Sequence, residues 1–162
     1  MLSADNLRVV KWYIDAAFAV HPDFKSHTGG AMTLGQGTVQ SVSRKQCLNT
    51  KSSTNTELVA ADDISVLILW TKLFLEDQGY KVEKNILYQD NRSAIVLEEN
   101  GQKSAGKRSR ALNVRYFFLT DQIKKGNLLV KYCPTEEMWG DFHSKPLQGE
   151  KFRHFQKEIM GE

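Results

Sequence analysis

An apolar run near the start of the chain, residues 9–20, carries a single carboxylate, Asp15, in its middle. The residues around it, such as Ile14, Ala16 and Phe18, are types that a buried strand uses. Carboxylates are almost never buried without a partner, because taking a charge out of water costs free energy. The fold must therefore hold Asp15 with a paired arginine, a helix N-terminus or a metal ion.

The overall composition fits one globular domain covering residues 1–162, with 41% hydrophobic and 25% charged residues. A net charge of +3 permits a polyanionic partner but does not require one. Cys47 and Cys133 lie far apart, without cysteine or histidine at metal-ligand spacing, so we expect no disulfide framework, no zinc site and an intracellular location. No apolar run approaches the ~20 residues of a membrane span. We expect a soluble protein that is monomeric when isolated.

Local patterns predict three antiparallel strands, a long helix, a strand, helices, a strand and a last helical segment. The predicted strands are residues 9–20, 31–34, 38–43, 81–89 and 128–132. The predicted helices are residues 55–78, 93–99 and 112–125, followed by two helical pieces from residue 135 onward. Thr54 and Glu57 have the spacing of a capping box at the start of the long helix. The chain opens almost directly on its first strand, as expected of a domain from a longer polypeptide.

An acidic residue stands at each important junction of these elements. The four acids are Asp15, Glu57, Asp90 and Asp141. If the first and fourth strands are neighbours, their ends and the facing helix could bring these acids together. Oxygen ligands without histidine or cysteine select Mg²⁺ or Mn²⁺, and two such ions about 3.5–4 Å apart are commonly used to attack a phosphodiester.

Each acid also has a purely structural interpretation. Glu57 could be one half of the capping box, Asp90 a helix cap and Asp141 a solvated surface charge. Asp15 could be a buried strand carboxylate paired with an arginine, which is a less common arrangement. Only Asp15 is therefore unusual on its own.

A stretch without acids, residues 101–110, carries four basic side chains. They are Lys103, Lys107, Arg108 and Arg110. Such a loop is more often a solvated surface than a nucleic-acid contact. If it does bind nucleic acid, we expect contacts to phosphates that are independent of sequence and weakened by salt.

Eight short motifs follow one another between about residue 12 and about residue 147. They are Y-I-D-A-A-F (13–18), T-G (28–29), S-R-K-Q (43–46), S-S-T-N-T-E-L (52–58), Y-Q-D-N-R-S-A-I (88–95), V-R-Y (114–116), K-Y-C-P-T-E (131–136) and D-F-H-S-K-P-L (141–147). As an ordered set they resemble the ribonuclease H domain of copia-type LTR retrotransposon polyproteins. In this comparison Thr28 and Gly29 fall at a turn.

The resemblance implies an α/β, ribonuclease H-like fold with a five-stranded mixed sheet, in which three antiparallel strands are followed by two added parallel, flanked by helices. It implies that the four acids bind two divalent ions, Mg²⁺ or Mn²⁺. The implied activity is endonucleolytic hydrolysis of the RNA strand of RNA–DNA hybrids during reverse transcription. The implied partner is a covalently linked reverse transcriptase domain, and the implied location is a cytoplasmic retrotransposon particle or the nucleus.

Short polar residues beside the proposed ligands are suited to contact 2′-hydroxyls of a hybrid. They are Ser53, Thr54, Asn55, Asn91 and Arg92. The chain departs from the family pattern at Ala17, Phe18, Asn55 and Gly140, none of which is a predicted ligand. His143 follows the last acid, whereas the more distantly similar cellular enzymes carry a histidine before it.

Two other functions remain open from the sequence. A non-catalytic nucleic-acid-binding or connector domain could keep this fold without cutting. An integrase or resolvase would also use a cluster of acids, although the long segment before the last acid and the Lys-Pro-Leu ending fit ribonuclease H better.

Overall fold

A computed structural model describes residues 3–101 and 113–162 of the chain. Its strands are β1 (Ser3–Ala4), β2 (Val9–Ala17), β3 (His27–Thr33), β4 (Gly35–Gln36), β5 (Gln40–Lys45), β6 (Lys84–Gln89) and β7 (Leu129–Tyr132). Its helices are α1 (Ser53–Asp77), α2 (Arg92–Asn100), α3 (Asn113–Lys124), α4 (Asp141–Ser144) and α5 (Gly149–Met160), with a 3₁₀ turn at Thr135–Glu137. Among these described residues, no helix combines the length and apolar character needed to cross a membrane.

Five strands form one mixed sheet in the order β5-β3-β2-β6-β7. The first three pair antiparallel, whereas β6 runs parallel to β2 and β7 runs parallel to β6. This arrangement confirms the expected ribonuclease H-like sheet of three antiparallel strands followed by two added parallel. The short strands β1 and β4 form a separate antiparallel pair that the sequence did not predict.

The main core lies between the sheet and α1. Val10, Trp12 and Ile14 of β2 are fully buried in the same cluster as Ile64 and Ile68 of α1. The residues of β2 alternate along the strand and those of α1 recur at helical spacing, so each element turns one apolar face to the other. This packing places the first turn of α1 beside the end of β2.

The opposite face of β2 is covered by the C-terminal segment. Tyr13 stacks on Trp139, with ring centroids 5.0 Å apart, and on Tyr88 of the neighbouring strand, at 4.8 Å. Because side chains alternate along a strand, Asp15 points to the same face as Tyr13. The short helix α4 packs there against β2 and β3, so Asp15 lies under it.

The start of α1 differs from the prediction. The N-cap is Ser52, whose Oγ accepts a hydrogen bond from the Asn55 amide at 3.2 Å, and Thr54 already lies inside the helix. The capping box of Thr54 and Glu57 is therefore wrong. Ser52, Ser53 and Thr54 all carry hydroxyl groups that could cap this helix. The buried Thr56 favours Ser52 as the cap, because its hydroxyl lies 2.6 Å from that of Thr50 and fixes the first turn.

Another buried carboxylate, which the sequence did not single out, lies in α2. Glu98 is fully buried, and among the described residues neither of its carboxylate oxygens has a hydrogen-bond partner. Burial raises the pKa of Glu98 to about 8, because the charged form loses its contact with water. The unfolded chain loses this proton near its ordinary pKa of about 4.3. The folded state is therefore destabilised progressively as the pH rises from there to about 8.

We expect Glu98→Gln to stabilise the domain at high pH, because a neutral amide has no charge to desolvate. The gain in the free energy of unfolding should be on the order of 3 kcal/mol at pH 8.5 and small at pH 5. Urea denaturation of both proteins at the two pH values measures this difference. An equal gain at both pH values would show that Glu98 keeps an ordinary pKa in the folded protein.

Candidate metal centre

Three of the four predicted acids meet at one end of the sheet. Asp15 lies near the end of β2, Glu57 in the first turn of α1, and Asp90 directly after β6. One carboxylate oxygen from each can be chosen so that all three lie within 4.8 Å of one another. The expectation that the first and fourth predicted strands are neighbours is confirmed, since β2 and β6 pair in parallel. Parallel pairing brings the ends of both strands to the same edge of the sheet.

The Glu57 carboxylate is buried but largely unsatisfied. Its Oε1 accepts one long hydrogen bond, 3.3 Å, from the Ala16 amide, and its Oε2 has no partner among the described residues. Burial raises the pKa of Glu57 well above its usual value, and the charges of Asp15 and Asp90 raise it further. A buried unpaired oxygen that faces two other carboxylates is a suitable ligand for a cation. The all-oxygen donor set fits Mg²⁺ or Mn²⁺.

Asp15 is held by a lysine rather than by the arginine that the sequence suggested as one possible partner. Lys145 Nζ lies 3.1 Å from both carboxylate oxygens of Asp15, and the Ser144 hydroxyl donates to one of them. Burial raises the pKa of Asp15, although Lys145 and Ser144 oppose this by favouring the charged form. The available signal was the position of Lys145 four residues after Asp141, a spacing that brings side chains together on a helix.

Asp141 is joined to the other acids through the same lysine. It is fully buried at the start of α4, with Lys145 Nζ at 2.7 Å from one oxygen and Lys151 Nζ at 2.6 Å from the other. Burial alone would lower the pKa of Lys145, but Asp15 and Asp141 more than offset this and raise it. The alternative that Asp141 is a solvated charge is wrong. The structure thus groups three acids and links the fourth to them through an ammonium.

Asp90 is not the cap of the helix that follows it. The N-cap of α2 is Asn91, whose Oδ1 accepts from the Ala94 amide at 3.1 Å. Asp90 instead accepts a hydrogen bond of 2.9 Å from the Thr135 hydroxyl, a contact that no sequence motif indicates. Its half-buried carboxylate is therefore oriented toward the edge of the sheet rather than toward the backbone of α2.

The residues predicted to contact nucleic acid are distributed around this centre. Ser53 is exposed, and Thr54 and Asn55 are partly exposed, in the first turn of α1. The Arg92 guanidinium lies over the ring of Tyr132, 4.4 Å from its centroid. Four predicted phosphate contacts lie outside the described residues, namely Lys103, Lys107, Arg108 and Arg110.

His143 is not part of the acid group. Its Nε2 is buried and has no hydrogen-bond partner in the described part of the chain, and burial lowers the pKa of His143. Its backbone carbonyl accepts a hydrogen bond of 2.8 Å from Ser43 of β5. The described contacts of His143 therefore tie α4 to the sheet.

Two glycines let α4 approach the sheet closely enough to reach Asp15. A Cβ on Gly29 would lie 2.5 Å from the Gly140 carbonyl oxygen and from the Ser144 nitrogen. A Cβ on Gly140 would lie 2.7 Å from the Asp15 nitrogen. The glycine found here, where the family pattern has alanine, therefore allows α4 to lie closer to β2. The placement of Thr28 and Gly29 at a turn is wrong, because both lie inside β3. Gly29 stands in a strand because backbone packs against it.

We expect Gly29→Ala to destabilise the domain by about 1–3 kcal/mol, because the added methyl group would press on the backbone of α4. The matched control is Gly30→Ala, where the nearest neighbour of the new methyl group would be the tip of the Ile64 side chain, at 2.6 Å, which can rotate away. Urea denaturation of the two variants measures the difference. Equal losses would mean that the contact with α4 is no tighter than ordinary core packing.

No protein-family profile matches this sequence. The chain is 30% identical over 154 residues to the Retrovirus-related Pol polyprotein from transposon TNT 1-94 of Nicotiana tabacum, covering 94% of the chain and 11% of that protein. It is 28% identical over 160 residues to the Pol polyprotein from transposon RE1 of Arabidopsis thaliana, covering 98% of the chain and 11% of that protein. The chain therefore spans about a tenth of the length of these curated relatives.

Solved structures with the same fold include LC11-RNase H1, isolated from compost, with a TM-score of 0.55 and 14% identity over 80% of this chain and 86% of that one. The same protein in complex with an RNA/DNA hybrid gives a TM-score of 0.56 at 14% identity, over 80% of this chain and 88% of that one. The resemblance carried by the eight motifs is thus confirmed: the sequence relatives of the chain are Pol polyproteins of retrotransposons, and its fold is that of ribonuclease H domains.

Proposed function

We propose that this domain is a metal-dependent endonuclease that hydrolyses the RNA strand of RNA–DNA hybrids during reverse transcription of a retrotransposon. The observation that carries the proposal is the group of Asp15, Glu57 and Asp90, whose ligand oxygens lie within 4.8 Å and include an unpaired buried oxygen of Glu57. The relationship to Pol polyproteins and the fold shared with a ribonuclease H1 that was solved with an RNA/DNA hybrid support the choice of substrate.

In this proposal the three grouped acids, together with Asp141, hold two Mg²⁺ or Mn²⁺ ions. When bound, these ions would supply an activated water and charge stabilisation at the leaving 3′ oxygen, which gives 5′-phosphate products. Asp15 and Asp141 both accept hydrogen bonds from Lys145, so their oxygens are already oriented. Burial of Asp15, Glu57 and Asp141 limits access of bulk water to these carboxylates.

Recognition of the hybrid would use the polar residues that border the acids. Ser53, Thr54 and Asn55 lie next to Glu57 in the first turn of α1, and Asn91 and Arg92 follow Asp90. These positions suit contacts to 2′-hydroxyls, which distinguish a hybrid from double-stranded DNA. The basic residues between 103 and 110 would bind phosphates. We further propose that the domain is covalently linked to a reverse transcriptase. Its proposed location is a retrotransposon particle in the cytoplasm or the nucleus.

The test is a cleavage assay with labelled RNA–DNA hybrid, double-stranded RNA and double-stranded DNA, each with Mg²⁺, Mn²⁺ or EDTA. We expect cleavage of the hybrid alone, only with a divalent ion, and with 5′-phosphate ends. Binding of the hybrid without cleavage would favour a non-catalytic connector domain. Cleavage of double-stranded DNA would favour an integrase-like or resolvase-like activity.

A further inference from the structure

We propose that Gln46 is a positioning residue of the acid group, because its buried side-chain amide joins β3 to the peptide group that precedes Glu57. Gln46 is 1% exposed and directly follows β5. Its Nε2 donates to the Thr28 hydroxyl of β3 and to the Thr56 carbonyl of α1, both at 3.0 Å. This bridge would fix the direction in which the first turn of α1 presents the next side chain.

The Glu57 carboxylate needs such support because its own contacts are weak. Within the described part of the chain it makes one hydrogen bond, of 3.3 Å, to the Ala16 amide, and its second oxygen has no partner. Asp15 and Asp141, in contrast, are each held by a lysine at 3.1 Å or less. The position of Glu57 must therefore come from the backbone of α1 rather than from its side chain.

The residue before Glu57 is fastened from several directions. The Thr56 hydroxyl lies 2.6 Å from that of Thr50, 3.2 Å from that of Ser26 and 3.0 Å from the Ser52 carbonyl. The backbone amide of Gln46 also donates to the Ser26 carbonyl, at 2.8 Å. Gln46 and these hydroxyls form one buried polar network between the sheet and the first turn of α1. Such networks favour one arrangement over others when their partners are in place.

The Gln46 side chain combines two hydrogen bonds with one unsatisfied oxygen. Its Oε1 is buried without a partner among the described residues, and a buried unpaired carbonyl oxygen destabilises a core. An apolar side chain of the same length would avoid that cost but would lose both hydrogen bonds of Nε2. Those two bonds are what tie β3 to the first turn of α1, and through that turn they would orient Glu57.

The chain offers a matched control in Asn85 of β6. Asn85 is 4% exposed, its Nδ2 donates to two backbone carbonyls, of Ile68 and Asn127, at 3.2 and 3.3 Å, and its Oδ1 has no described partner. It pairs with Val10, near the start of β2, and so lies away from Asp15. The two buried amides thus have the same pattern of contacts, and only Gln46 bonds to the turn that carries Glu57.

The experiment compares Gln46→Met with Asn85→Leu in two measurements. The first is the dissociation constant for Mn²⁺, measured by titration calorimetry. The second is hydrogen exchange of the Ala16 amide in EDTA, measured by NMR, since this amide donates to Glu57. Both variants should lower the melting temperature by about 5 °C. Only Gln46→Met should raise the Mn²⁺ dissociation constant, by about tenfold, and accelerate exchange at Ala16.

A milder variant covers the case in which Gln46→Met does not fold. Thr28→Val removes the hydroxyl on β3 but leaves Gln46 bonded to the Thr56 carbonyl, and it should produce the same two effects at about threefold. The proposal is overturned if either folded variant exchanges at Ala16 no faster than Asn85→Leu. The exchange measurement remains a valid test even if the unaltered protein does not bind Mn²⁺. Such a result would contradict the proposed function, and only the calorimetric measurement rests on that function.

Discussion

Replacing Glu57 with glutamine is expected to reduce cleavage of an RNA–DNA hybrid by about 10³-fold or more while making the metal-free protein more stable. Activity falls because a neutral amide is a poor ligand for a divalent ion. Stability in EDTA rises by about 1–3 kcal/mol, because the buried, unpaired carboxylate and its repulsion with Asp15 and Asp90 are removed. The glutamine oxygen can still accept the hydrogen bond from Ala16.

The pH dependence of this gain follows from the raised pKa of Glu57. The cost of ionising Glu57 in the folded protein exists above the pKa of the unfolded chain, about 4.3, and disappears below it. The gain from Glu57→Gln should therefore be larger at pH 8 than at pH 5. Urea denaturation in EDTA at the two pH values measures it.

Asp15→Asn is the matched control for this result, since it removes one acid of the same group. It should also abolish cleavage, but it should lower the stability in EDTA, because it deprives Lys145 of a partner inside the protein. If both substitutions changed stability in the same direction, the different environments assigned to the two carboxylates would be wrong.

Replacing Lys145 with methionine is expected to increase the stabilisation that Mn²⁺ confers on the domain. In EDTA the free energy of unfolding should fall by about 2 kcal/mol, because Asp15 and Asp141 lose the ammonium between them. This figure is moderate because the Lys145 side chain is 36% exposed and solvent screens part of its interaction. With Mn²⁺ much of the loss should be recovered, since no ammonium then competes for these oxygens. Urea denaturation with Mn²⁺ and with EDTA gives both values.

The control for Lys145 is Lys72, which pairs with Glu76 at 2.8 Å in α1 and is only 19% exposed. Lys72→Met should lower stability by less than about 1 kcal/mol, equally with Mn²⁺ and with EDTA. If Mn²⁺ stabilised Lys145→Met no more than it stabilises the unaltered protein, Lys145 would not compete with the metal.

Much of the fold could be predicted because its signals are local. The spacing of the apolar residues predicts β2 as a strand and α1 as a helix. The order of strands and helices then predicts the arrangement of the sheet, once β2 and β6 are taken as neighbours. Asp15 could be recognised as unusual because a charge in an apolar strand needs a partner. The other acids could be assigned only through the resemblance, since each also has the residue type of a cap or a surface position.

The features that the sequence did not reveal depend on contacts between distant residues. Lys145 reaches Asp15 across 130 positions, and a lysine in a polar C-terminal stretch is typical of a surface. Gly29 belongs to a stretch rich in residues that form turns, and only the packing of α4 explains why it lies in a strand. Ser52 rather than Thr54 caps α1, where the Thr56 hydroxyl is hydrogen-bonded to the hydroxyls of Thr50 and Ser26. Local propensity cannot distinguish such alternatives when tertiary contacts decide.

The position of α4 makes the chemistry depend on the far end of the domain. Asp141, Ser144, Lys145 and Lys151 all follow the five strands of the sheet. A polypeptide interrupted near residue 140 would keep every strand, together with Asp15, Glu57 and Asp90, but would lose the fourth acid and both lysines at once. Its remaining carboxylates would face one another without any of these counter-charges. A shortened chain would thus be left with an incomplete and electrostatically unfavourable centre.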